Sequence, residues 1–256
     1  MSLSLITITL NSKEHLPSAL SSVGKQLNSN FEHIIIDGAS DDGTVEIIKR
    51  YQNESSYPVL FLSEKDGGLY DALNKGISLC SNEIIGILHS DDEFYDDQVI
   101  SGVINKFSME NSIDVLIGNV VYVNAKNPNW ISRFYKSTRF KPWMFRFGFM
   151  PSHTGAFIKK SIFERVGYYD SSFVSAGDFD FFLRVFFKEG VNIVFIDQII
   201  TKMRLGGISS SGLNSYLRTS SEILKSLSKN NIYSNWLLVL SRLPIKFLKL
   251  FYERSF

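Results

Sequence analysis

One cysteine, Cys80, stands in 256 residues, so no internal disulfide can form and a reducing compartment is expected. It lies in an apolar helical pattern with Ile77 and Leu79 and reads as a small core residue. No window approaches the ~18 uninterrupted apolar residues of a bilayer-spanning helix. The N-terminus has neither a basic run before an apolar stretch nor a small-residue cleavage site, which argues against a signal peptide. The four histidines are scattered and offer no zinc-ligand spacing. Internal repeats and long linkers are missing too. Hydrophobic residues make up 44% of the chain and charged residues 21%, which excludes disorder and suffices for one large α/β domain.

The formal net charge of +1 conceals a division. Residues 1–128 hold 8 Lys and Arg against 18 Asp and Glu, a balance of −10, while residues 129–256 hold 19 against 8, a balance of +11. An acidic half suits a bound cation, and a basic half suits phosphates or an anionic surface.

Apolar runs at residues 3–10, 32–37, 59–64, 83–89 and 114–123 predict strands. Between them, Leu16, Leu20, Val23 and Leu27 recur at helical spacing, with Ser12 as the expected N-cap. Helices are also predicted over 45–51 with Thr44 as the cap, 71–80 and 98–109. This alternation calls for a Rossmann-like, mostly parallel sheet flanked by helices, whose ligands bind at the carboxyl ends of the strands. Asn11, Asp37, Glu64–Asp66 and Asp91–Asp92 fall at those ends, a repulsive set unless a cation or nucleotide occupies the rim.

The second half changes character. Residues 130–149 hold eight aromatic and five basic residues and no acid. Helices are expected at 160–166, 178–188 and 214–229, a strand at 192–196, and a glycine- and serine-rich loop near 206–212.

The sharpest signal is the apolar strand that runs into Ser90-Asp91-Asp92-Glu93. Adjacent carboxylates at a strand end present hard oxygens suited to Mg²⁺ or Mn²⁺ bridging a diphosphate. The surrounding segments add to it: Ile8-Thr9-Leu10-Asn11, Ile36-Asp37-Gly38-Ala39-Ser40-Asp41-Asp42-Gly43-Thr44, and Ser63-Glu64-Lys65-Asp66-Gly67-Gly68-Leu69-Tyr70-Asp71-Ala72-Leu73-Asn74-Lys75-Gly76. In this order, from residue 3 to about residue 212, the chain resembles the family 2 glycosyltransferases of the GT-A fold.

The resemblance implies an inverting transferase that uses a nucleotide diphosphate sugar and a divalent ion in bacterial surface-polysaccharide assembly. Asp92 would bind the metal, and Asp91 the ribose or the metal's waters. Thr9, Asn11 and Asp37 would lie at the nucleoside. The family's carboxylate after Asp37 is here Gly38, which leaves uridine against guanosine open. Asp66 and Lys75 are further nucleotide candidates, equally readable as a loop acid and a surface lysine. The catalytic base aligns with Asp178 in Ala176-Gly177-Asp178-Phe179-Asp180, where an acid often precedes it. Asp178 is also a suitable helix cap. His153, in Pro151-Ser152-His153-Thr154-Gly155, falls on the acceptor side, and Met203-Arg204-Leu205-Gly206-Gly207 resembles a loop that closes on the diphosphate.

The implied organisation is a GT-A domain over 1–212, with a nucleotide-sugar half (1–128) and an acceptor half (129–212), followed by amphipathic helices over 213–256. The tail from Trp236 to Phe251 is apolar, and Arg242, Lys246 and Lys249 recur on one helical face, as in an interfacial helix. A cytoplasmic protein peripheral to the inner face of the plasma membrane is therefore expected, acting on a lipid-linked saccharide, with no nucleic-acid partner and with homodimerisation left open. Nucleic-acid binding through 130–149 is opposed by the −10 of the first half. A sugar nucleotidyltransferase would need a glycine-rich phosphate loop after the first strand, where Asn11-Ser12-Lys13 stands; a non-catalytic nucleotide-binding protein is opposed by Asp37, Asp92 and Asp178 together.

Overall fold

The computed structural model describes residues 1–28, 30–124, 127–204 and 212–242. Strands β1 (Leu3–Thr9), β2 (Phe31–Asp37), β3 (Val59–Ser63) and β4 (Ile84–Ile87) alternate with helices α1 (Leu16–Gly24), α2 (Thr44–Glu54) and α3 (Leu69–Leu79). After them come β5 (Glu93–Phe94), α4 (Val99–Met109), β6 (Val115–Asn124) and β7 (Asn127–Tyr135). Two 3-10 turns, Ser137–Arg139 and Pro142–Phe147, lead to β8 (Ala156–Lys159), α5 (Lys160–Val166), α6 (Gly177–Phe187) and β9 (Ile193–Arg204). Helices α7 (Gly212–Lys229) and α8 (Trp236–Leu240) close the described chain.

The strands form one sheet in the order β3-β2-β1-β4-β8-β6-β9-β5, with β7 paired to β6. β1 runs parallel to β2 and β4, β2 to β3, and β6 to β9, whereas β8 is antiparallel to β4 and β6. The sheet is thus mostly parallel by strand direction, and helices cover it. Successive side chains alternate between its faces. Ile6, Ile8, Ile34 and Ile36 join the core beneath α3 and α6, while Leu3 and Leu5 join the one beneath α4. Each fully buried aliphatic side chain contributes about 1.5–3 kcal/mol, so the alternating pattern fixes which face of each strand is inward.

Several boundaries differ from the sequence expectation. Helix α1 starts at Leu16, not after Ser12, because Pro17 sits in its first turn, where proline is preorganised; Leu27 lies beyond it and is exposed. Helix α2 has Gly43 in the left-handed region as its N-cap, and Thr44 is its first residue. Strand β9 extends through Met203 and Arg204, so the expected closing loop is strand up to that point; residues 205–211 lie outside the described residues.

Helix α7 grips α6 and the loop before it through one polar face. Asp180, fully buried, accepts from Arg184 (2.9 Å) on its own helix and from Ser226 (2.8 Å) and Asn230 (3.3 Å) of α7 or the residues following it. Arg242 departs from the expected lipid-facing position. It is buried, donates to the Tyr216 hydroxyl (3.0 Å), Ser220 Oγ (2.9 Å) and the Gly148 carbonyl (3.3 Å), and lies over the Tyr216 ring. A planar guanidinium with three oxygen acceptors and a ring face is better satisfied there than in water. Lys246 and Lys249 lie outside the described residues.

Candidate active site

The rim begins where parallel strands end. Thr9 closes β1 and its carbonyl accepts from Gly38 N–H (2.9 Å), while its buried Oγ1 has no partner. Asn11 adopts φ of 48°, a conformation asparagine tolerates better than most residues. Its N–H donates to Ser40 Oγ (2.8 Å) and its Oδ1 accepts from Asp41 N–H (3.1 Å), which clamps the first two turns together. Asp37 is fully buried. Its oxygens accept from the Ser40 N–H (2.9 Å), the Ser40 hydroxyl and Ser63 Oγ (2.7 Å), so its charge shapes the turn. Gly38 is left bare by necessity: a Cβ there would stand 2.9 Å from Asp66 Oδ2 and 3.3 Å from Leu10 Cδ1. The Asp66 carboxylate therefore reaches into the space a side chain at 38 would occupy. Lys75 is neutralised by Glu64 (2.8 Å) and Asp71 (3.5 Å).

The second part of the rim follows β4. Ser90 meets Ser12 hydroxyl to hydroxyl (3.0 Å), tying the Asp91–Asp92 turn to the end of β1. Asp92 is 2% exposed, and its Oδ2 is buried without a hydrogen-bond partner. Burial first, and then the neighbouring Asp91 charge, push its carboxyl well above the ordinary range. A buried, unpartnered carboxylate beside a second acid is costly as it stands and is the donor set a hard cation would relieve. Among the described residues no group of three or more His, Cys, Asp or Glu gathers around one point. A small divalent ion that bridges a diphosphate needs only one or two carboxylates from the protein. Arg204, at the end of β9, pairs with Glu93 (3.2 Å) and Ser18 Oγ (2.9 Å) and lies close enough to Asp92 to lower its pKa against the larger effect of burial.

The third part is the start of α6. Asp178 is half-buried and accepts from its neighbour Phe179 N–H (2.8 Å) and from the Tyr70 hydroxyl (3.2 Å). Burial pushes its carboxyl up to about 6, outweighing those two hydrogen bonds. From Asp178 a row of rings leads back to the acidic turn. Tyr70 stacks on Tyr169 (5.9 Å), the Tyr169 hydroxyl bonds His153 Nε2 (2.8 Å), and His153 lies 5.7 Å from His89. Burial lowers His153 to about 3 and His89 also below its ordinary value, so both imidazoles are neutral at pH 7.

A half-buried carboxyl with a raised pKa is thus joined by a row of rings to the acidic turn after β4. The description that matches this chain is "Glycosyl transferase family 2", over residues 4–167. The chain belongs to the family 2 glycosyltransferases. An uncharacterised glycosyltransferase of Mycobacterium tuberculosis is 30% identical over 189 residues, covering 71% of this chain and 67% of that protein. A PGL/p-HBAD biosynthesis glycosyltransferase of the same organism is 25% identical over 210 residues, 81% of this chain and 79% of that one. Among solved structures, S. aureus TarS residues 1–349 in complex with UDP-GlcNAc superposes with a TM-score of 0.68 at 20% identity, over 89% of this chain and 66% of that one. A Pyrobaculum calidifontis mannosyltransferase in complex with GDP-Man and Mn²⁺ gives 0.64 at 16%, over 89% and 63%. The shared fold is the GT-A type.

The transferase brings Thr9, Asn11, Asp37, Asp66, Asp91 and Asp92 to one rim and links Asp178 and His153 through two tyrosines. Sequence reasoning missed Tyr70 and Tyr169, and it missed His89. Tyr70 lies inside a quoted motif, but its partner is 108 positions away. The glycine before Asp178 has a packing cause: a Cβ on Gly177 would stand 2.7 Å from the Tyr70 ring. Gly177→Ala should therefore cost about 1–3 kcal/mol by overpacking. Urea denaturation checks this, and an unchanged midpoint would contradict the packing.

Proposed function

We propose that the protein is an inverting transferase that moves a sugar from a nucleotide diphosphate sugar, a UDP-sugar first among them, to a hydroxyl of a lipid-linked saccharide. The observation that carries this reading is the raised, half-buried Asp178 carboxyl, joined by the tyrosine and histidine row to the turn that bears Asp91 and Asp92. Asp178 accepts the acceptor hydroxyl's proton as that oxygen attacks the anomeric carbon. The bond to the diphosphate breaks on the opposite face, the configuration inverts, and the negative charge leaves on the nucleotide. Mg²⁺ or Mn²⁺, held by Asp92 and Asp91, would stabilise that leaving charge. Mn²⁺ and GDP-Man in the mannosyltransferase, and UDP-GlcNAc in TarS, support this donor class.

Thr9, Asn11 and the turn shaped by Asp37 hold the nucleoside side. Asp66, reaching over Gly38, offers a carboxylate to a base N–H, a donor that both uracil N3–H and guanine N1–H supply. Neutral His153 lines the acceptor side, and Arg204 borders the diphosphate. Screening a panel of nucleotide sugars in Mn²⁺ tests the reading: UDP release with a UDP-sugar, abolished by chelation, is expected. Pyrophosphate release from a nucleoside triphosphate and a sugar phosphate would contradict it.

The setting proposed is the cytoplasmic face of a membrane, in surface-polysaccharide assembly. Among the described residues no helix is long and apolar enough to cross a bilayer. Exposed Trp143, Tyr233, Trp236 and Leu237 support docking, and Arg146 joins two of their segments by donating to the Tyr233 carbonyl (2.9 Å). Aromatic side chains and cations together suit a lipid interface. Truncation after Arg242 preserves that anchor's buried contacts and should reduce flotation with anionic liposomes. Equal flotation by both forms would refute a docking role for residues 243–256.

A further inference from the structure

Helix α7 lies beyond the segment the family description matches, yet it holds the loop that leads into Asp178 at the start of α6. Thr219, Glu222, Ser226 and Lys229 recur at spacings of three and four, which places them along one side of the helix. Each meets the 170–180 segment. Thr219 Oγ1 meets Ser175 Oγ (2.9 Å), Ser226 donates to Asp180 (2.8 Å), and Lys229 donates to Asp170 (2.7 Å). Glu222 does most. Its carboxylate accepts the backbone N–H groups of Val174 (3.0 Å), Ser175 (2.8 Å) and Ala176 (2.9 Å), together with Ser175 Oγ (3.2 Å).

These amides point out of the turn that opens α6, two residues before Asp178. The N-cap residue Ala176 has no side chain that could cap the helix and Asp178 takes only the Phe179 N–H, so the carboxylate from α7 supplies the acceptors for the turn that leads in. Three charge-assisted hydrogen bonds to one carboxylate hold such a turn far more firmly than neutral ones. We propose that Glu222 is a positioning residue for the transfer reaction, fixing the 174–176 turn so that the Asp178 carboxylate faces the acceptor. This rests on Asp178 being the base.

Glu222 also acts through its charge. Asp178 is faced by the Tyr70 hydroxyl from α3, by Tyr169 from the loop after α5, and by Glu222 from α7. Arg184, further along α6, is engaged by Asp180 and by the carbonyls of Val166, Gly167 and Tyr168. Of the groups facing Asp178, Glu222 is the one that adds negative charge, reinforcing the upward push of burial on the base. A carboxyl near 6 is a stronger base than an ordinary one and is still ionised at pH 7.

The test uses the full chain without any substrate. Carbon NMR of aspartate-labelled protein follows the Asp178 carboxyl, identified by its loss in Asp178→Asn. In Glu222→Gln, which keeps an acceptor oxygen and removes the charge, the Asp178 titration should move from about 6 toward the ordinary carboxylate range. In Glu222→Ala the amides of Val174, Ser175 and Ala176 should also exchange at least ~10-fold faster, as their acceptor is gone. Parental exchange rates at Val174, Ser175 and Ala176 in Glu222→Ala overturn the proposal, as does an Asp178 titration identical in the parent and both variants. Separately, sugar transfer by Asp178→Asn at the parental rate would remove the base assignment while leaving the measured coupling intact, so the two failures are distinguishable.

Discussion

With Asp178 as the proposed base, Asp178→Asn should lower the transfer rate by roughly 10²- to 10⁴-fold while leaving nucleotide binding close to that of the parent. The amide still accepts from Phe179 N–H and the Tyr70 hydroxyl, so the start of α6 keeps its geometry, but it cannot take a proton. The same residue should set the pH dependence. Its carboxyl is raised to about 6, so the ionised, active form is lost as pH falls through that value, and the acid limb of the rate profile should lie there. The stability effect has the opposite sense. A carboxyl raised in the folded state costs stability when ionised, and this penalty fades as pH falls through about 6. Asp178→Asn should therefore melt no lower than the parent at pH 7, and it should lose the parent's gain in stability on mild acidification. Comparable loss of donor affinity and rate would mark Asp178 as structural instead.

Asp92→Asn should abolish metal-dependent turnover. A neutral amide is a poor ligand for a hard cation, and Asp92 supplies the one carboxylate oxygen in the acidic turn that is both buried and unpartnered. The consequences for stability run the other way. Burial and Asp91 make the ionised Asp92 carboxylate expensive in the metal-free protein, and the amide removes that charge. Without metal the variant should melt at or above the parent's temperature. Adding Mn²⁺ should raise the parent's melting temperature and leave the variant's unchanged, since only the form that binds the ion is stabilised by it. Equal stabilisation of both would place the ion elsewhere.

The legible parts of this molecule were those written locally. Strands β1 to β4 and the acids that end them follow from runs of Ile, Leu and Val that stop at polar residues, so the rim could be anticipated from residues 3–92. Gly38 and Gly177 were visible as departures from the family pattern. Their cause was not, because it lies in Asp66 and in Tyr70, which meet them only after folding. The contacts of Asp37 were similarly hidden: a strand-end acid says nothing of the Ser40 and Ser63 groups that donate to its oxygens after folding. The same limit applies to Arg242. A helical stripe of cations says nothing of the acceptors that Tyr216, Ser220 and Gly148 bring to one point. Glycines suggested a loop around Arg204, yet β6 pairs with β9 as far as that residue, with β5 on the other side up to Lys202.

Calorimetric titration of UDP in the presence of Mn²⁺ into the parent, Asp92→Asn and Asp178→Asn tests the division of labour within the site. The account predicts heat of binding for the parent and for Asp178→Asn with similar affinity, and none or a greatly weakened binding for Asp92→Asn. Undiminished binding by Asp92→Asn, or loss of binding by Asp178→Asn alone, would contradict it.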